Sequence, residues 1–138
     1  MFHEIGKTIL DAEYYLRSDP KNRISDTRMR RYPLIGTEIL KRSGVAAETS
    51  LRVIREHQER LDGSGFPERL NQTAISEFSR IVAICDYFDE QVNEPSPRVT
   101  RKPFDVLLKM KKGGQKFDQQ ILRRFILLLG TDFNASSN

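Results

Sequence analysis

The chain is predicted to fold as an all-α helical bundle. Apolar residues recur at three- and four-residue steps along most of its length, and no alternating strand pattern of any length appears. Glycine and proline signals punctuate the periodic stretches. The length of 138 residues suits a single domain with one core. There is no internal repeat and no low-complexity tract.

Each element follows from its own pattern. Thr27 to Arg42 carries apolar positions at Met29, Leu34, Ile35, Ile39 and Leu40; Pro33 marks a boundary or kink, and Gly44 is placed to end the helix. Val45 to Gln58 follows, with Leu51 and Ile54 inward. Ile75, Phe78, Ile81, Val82, Cys85 and Phe88 give the strongest helical signal in the chain. Asn93 to Pro103 holds three prolines and reads as a loop. Phe104 to Met110 and Ile121 to Leu129 form two shorter helices around a turn at Gly113-Gly114, and residues 134–138 read as a frayed, disordered tail.

Composition narrows the function classes. Apolar residues make up 38% and charged residues 30%, a balance that, with the periodicity, indicates folded protein. No apolar run nears the roughly 20 residues needed to cross a bilayer. Glu4 and Lys7 interrupt the place where a secretory signal would carry its apolar core, so the expected setting is cytoplasmic. Cys85 is the single cysteine and reads as a buried small side chain. The net charge of +4 favours anionic partners, but no recognition-helix or aromatic-interleaved motif accompanies it, which disfavours nucleic acid.

The run His57-Gln58-Glu59-Arg60-Leu61-Asp62-Gly63-Ser64-Gly65-Phe66-Pro67 is the most informative segment. Taken alone it reads as a helix end followed by a solvated turn, with His57 placed to favour the carbonyl end of its helix. It also resembles the HHExxDGxGYP signature of HD-GYP domains, which hydrolyse the bacterial messenger cyclic di-GMP. Four further stretches resemble that family in the expected order. His3-Glu4-Ile5-Gly6-Lys7 is similar to HDIGK, and Tyr32-Pro33-Leu34-Ile35-Gly36 to HPxxG. Ala83-Ile84-Cys85-Asp86-Tyr87-Phe88-Asp89 is similar to VADxxD, and Gly114-Gln115-Lys116-Phe117-Asp118 to the terminal GxxFD. The resemblance covers His3 to about Phe125. It implies one HD-superfamily-like bundle over residues 1–138, with residues 1–7 a remnant of the HD motif and 57–67 a GYP-like loop.

Family members bind two or three metal ions, usually iron or manganese. By resemblance, one ion would use an upstream histidine with no counterpart here, together with His3, Glu4 and Asp86. A second would use Glu4 as a bridge, then Tyr32, His57 and Gln58. The metal candidates are therefore His3, Glu4, His57 and Asp86, while Tyr32 and Gln58 stand where the family pattern has histidine. Neutral tyrosine and an uncharged amide are poor replacements for imidazole at such a site. The expectation is that ligands are missing, that any divalent metal binds weakly if at all, and that the domain is catalytically inactive and acts by binding. The alternative is a cyclic di-GMP phosphodiesterase with an altered metal site. The resemblance assigns Lys7, Asp89 and Arg98 to substrate phosphate. It assigns Asp62, Gly63, Gly65, Phe66 and Pro67 to an interaction loop, with Phe66 a docking knob if exposed. Candidate partners are cyclic di-GMP, a diguanylate cyclase domain, a response-regulator domain and a second copy of the chain.

Overall fold

A computed structural model describes residues 2–9, 29–93 and 101–135. Among these residues the molecule is all-helical, with no strand and one isolated antiparallel bridge between Asp62 and Asn71. The chain opens with a 3-10 segment, Phe2–Ile9, and a short 3-10 turn, Met29–Arg31, leads into α1, Tyr32–Ser43. Then come α2, Glu48–Glu56, and α3, Glu77–Asn93. Helices α4, Pro103–Lys112, and α5, Gln119–Ala135, complete the bundle.

Local chemistry sets these boundaries. Pro33 lies in the first turn of α1, where its missing N–H breaks no helical bond, so it starts this helix without kinking it. Gly44 closes α1 at φ 68°, a left-handed conformation that costs glycine little. The second helix is shorter than the expected Val45 to Gln58, because Ala47 is extended and the first helical turn starts at Glu48. Ser76 caps α3 by accepting from the Ser79 N–H through its Oγ. Asp118 caps α5 by accepting from the N–H groups of Gln120 and Ile121.

Two apolar clusters hold the bundle. Leu40, Leu51 and Ile54 join α1 to α2, with Ile5 of the N-terminal segment packed on them. Ile84, Val106, Met110, Phe117 and Leu122 join α3, α4 and α5. The buried face of α3 is Ser79, Ala83 and Ile84, which differs from the apolar stripe read in the sequence. Phe78 is 64% exposed and Ile81 38% exposed, and both line an apolar groove of about 920 Å³ that extends to His3.

The N-terminal segment is seated by a glycine pair. A Cβ on Gly6 would fall 1.9 Å from the Tyr32 carbonyl oxygen, and one on Gly36 would lie 3.1 Å from the Gly6 nitrogen. Only residues without side chains permit this approach of the segment to α1. It brings His3 beside the end of α2 and the middle of α3.

Candidate metal centre

Three elements converge on one polar cluster. His57 is the residue after α2, Asp86 lies in the middle of α3, and His3 comes from the N-terminal segment. One ligand-capable atom from each lies within 4.8 Å of the others. His57 is fully buried, while His3 and Asp86 side chains keep only 11% and 10% of their surface exposed.

The hydrogen bonds assign the imidazoles. His57 Nδ1 lies 2.7 Å from the Ile54 carbonyl oxygen. A carbonyl only accepts, so Nδ1 carries the proton and Nε2 keeps its lone pair. The Tyr32 hydroxyl donates to that Nε2 at 2.7 Å. Burial pushes the His57 pKa down to about 4, so the ring is neutral at ordinary pH. Burial, then the charge of Asp86, pushes the Tyr32 phenol well above its usual range. Tyr32 is therefore a neutral hydrogen-bond donor here, not a phenolate. His3 Nε2 donates to Asp86 Oδ1 at 2.7 Å. Its Nδ1 is buried with no hydrogen-bond partner among the described residues.

Gln58 and Arg60 complete the surroundings. Gln58 Nε2 donates to Asp86 Oδ2 at 2.8 Å, and its oxygen faces Arg60 Nη2 at 3.3 Å. Arg60 also donates to the carbonyls of His57 and Glu59, and its guanidinium lies over the Phe117 and Tyr87 rings. Although burial resists ionising Asp86, its contacts with His3 and the nearby positive groups hold its carboxyl below the usual range.

These positions correct the expectation that the ligands are missing. That expectation divided His3 and His57 between two separate ions and judged each set incomplete. The fold instead places the two rings 4.8 Å apart, edge to face, with Asp86 against His3. Two imidazoles and a carboxylate thus form one cluster, a donor set suited to a divalent transition metal. An ion between these groups would replace the His3 Nε2–Asp86 hydrogen bond; the unpartnered His3 Nδ1 lies on the other side of the ring and is no part of this donor set.

The other anticipated residues lie around it. Glu4 pairs with Lys7, whose ammonium also sits 4.8 Å from the centre of the Tyr32 ring. Asp89 is exposed and accepts from Asn93. Arg98 lies outside the described residues. In the loop, Asp62 accepts from the Ser64 N–H and Oγ, Gly63 adopts φ 75°, and Gly65 packs tightly on Gln58 and Glu59. Phe66 is half-buried, edge-on to Tyr32, and Pro67 follows it through a cis peptide.

Two residues contribute beyond what the sequence assigns, Glu59 and Arg60. The sequence suggests that Arg60 pairs with Asp62 in the loop, but Arg60 turns to Gln58 while Asp62 accepts from Ser64. The Glu59 carboxylate, almost fully buried, accepts from the N–H groups of Glu68, Arg69 and Leu70 and so folds the loop back on α2. Arg60 locks Gln58. Their signal was present, as two charged residues directly following His57-Gln58, but charge beside a turn is ordinary until burial is known.

Comparison with known proteins agrees with this geometry. The sequence profile of the HD domain family matches residues 1–121. A cyclic di-GMP phosphodiesterase of Pseudomonas aeruginosa is 25% identical over 130 residues, covering 94% of this chain and 31% of that protein. The cyclic di-GMP phosphodiesterase response regulator RpfG of Xanthomonas campestris is 37% identical over 92 residues, 63% of this chain and 23% of that one. A 3'3'-cGAMP-specific phosphodiesterase of Vibrio cholerae is 31% identical over 88 residues, 63% of this chain and 17% of that one. The chain thus spans about a third or less of the length of these relatives. No described helix is long and apolar enough to cross a membrane.

Proposed function

The chain belongs to the HD domain family, and on that footing we propose that it is a metal-dependent phosphodiesterase of the HD-GYP type acting on a cyclic dinucleotide. The observation that carries this reading is the convergence of His3, His57 and Asp86, with one ligand-capable atom of each within 4.8 Å of the others. These three residues would hold a divalent ion. Such an ion supplies a polarised phosphoryl oxygen and a water made acidic enough to be a nucleophile near neutral pH.

The chain's own residues prepare the site. Ile54 fixes the His57 tautomer through its carbonyl, so the lone pair faces inward without a proton to remove. Burial around the cluster limits water and strengthens its electrostatics. Lys7, Asp89 and Arg98 are proposed to meet the phosphates of the substrate. Lys7 is best placed of the described ones, because it reaches from the N-terminal segment over Tyr32. The names of the relatives support the substrate class, since they act on cyclic di-GMP or on 3'3'-cGAMP.

The test is hydrolysis of cyclic di-GMP and 3'3'-cGAMP by the chain with manganese or iron. Turnover that depends on metal and vanishes in Asp86→Ala is expected. A metal-loaded chain that cleaves neither dinucleotide would overturn the reading.

A further inference from the structure

Gln58 is one of the two residues at a position where the family signature has histidine, and its surroundings permit one orientation. The Asp86 carboxylate only accepts hydrogen bonds and the Arg60 guanidinium only donates. A side-chain amide between them must therefore turn its NH2 toward Asp86 and its oxygen toward Arg60, as found. The oxygen that could have ligated an ion is thus directed at Arg60. Arg60 cannot easily move away, because it bonds two further carbonyls and packs against Phe117 and Tyr87.

We propose that Gln58 is a positioning residue, clamped by Arg60, that ties up Asp86 Oδ2, so that one metal ion would take Oδ1 by replacing the hydrogen bond His3 Nε2 now makes to it. This rests on the metal reading above and deepens it. The centre then takes a single ion, held by His3, His57 and Asp86, with Gln58 outside the coordination sphere. Partners that orient a ligand in this way typically change metal affinity by about 10- to 100-fold.

The experiment is calorimetric titration of chelator-stripped protein with Mn2+, comparing the wild-type chain with Gln58→Leu and Gln58→Met. The wild type should bind one equivalent. The variants should still bind one equivalent, about 10- to 100-fold more weakly, with the absorption bands of the Co2+-substituted protein at unchanged positions because the donor set is unchanged. Equal affinity in wild type and variants would overturn the proposal, as would two equivalents in the wild type. No binding by the wild type would instead remove the metal reading itself. If neither variant folds, a crystal structure of the Mn2+-loaded wild type decides. Gln58 Nε2 within hydrogen-bond distance of Asp86 is expected, and Gln58 Oε1 bound to the ion is the contrary result.

Discussion

The Tyr32 hydroxyl donates a hydrogen bond to His57 Nε2, the one nitrogen of that ring left free to bind a metal. An ion reaching His57 must displace this bond. Tyr32→Phe should therefore destabilise the metal-free chain by about 1–2 kcal/mol, the cost of stranding a buried acceptor. The same change should tighten Mn2+ binding several-fold, because the competing donor is gone. Denaturant melts and metal titrations on the variant check both halves, and weaker Mn2+ binding in Tyr32→Phe would show that the hydroxyl assists the ion.

The His57 environment predicts a pH dependence of stability. Its pKa falls from 6.5 to about 4 on folding, so between these values the unfolded chain takes up a proton that the folded chain refuses. The stability is fully present above about pH 6.5 and is lost as pH drops toward 4. By pH 5 the loss is about 2 kcal/mol. Asp86, with its carboxyl held low, adds a loss of the same sign at still lower pH. Thermal melts of metal-free protein at pH 7.5 and pH 5 measure this, and an unchanged melting temperature would contradict it.

Gly6→Ala separates the N-terminal segment from the rest of the bundle. The added methyl would meet the Tyr32 carbonyl at 1.9 Å, so the segment must shift and carry His3 with it. The α3–α5 core is a separate cluster from the one on which this segment packs through Ile5. Metal affinity should fall at least 10-fold while the helical circular dichroism signal persists. Full retention of metal binding would show that His3 is not a ligand.

The Glu59 carboxylate organises the 57–67 loop. Glu59→Ala removes the acceptor for three backbone N–H groups, each worth about 1 kcal/mol or more when the acceptor is charged. A destabilisation of about 2–4 kcal/mol is expected in urea denaturation, with faster amide exchange at residues 68–70. Protection at those amides equal to wild type would be inconsistent with this role.

Much of the fold was legible in the sequence because periodicity reports burial directly. Leu51 and Ile54 face inward, and Gly44 ends its helix as expected. Phe78 and Ile81 mark their helix as read but lie exposed, because a helical stripe marks an apolar face without saying that anything covers it. The site was legible residue by residue but not as a whole. The resemblance put His3 with Asp86 and set His57 apart, and the close glycine–glycine approach of the N-terminal segment to α1 is what brings His3 to His57 as well. Sequence spacing carries no signal for a contact across 83 residues. The same holds for Gln58, which reads as a lost ligand until its orientation between Asp86 and Arg60 is seen.

The most direct measurement is Mn2+ binding to chelator-stripped wild-type chain and to Asp86→Ala, by calorimetry with metal analysis of the dialysed protein. One tightly bound ion per wild-type chain, lost in Asp86→Ala, is the predicted result. A wild-type chain that retains no metal, or an Asp86→Ala chain that binds it as well, would contradict the assignment of His3, His57 and Asp86 as a metal centre.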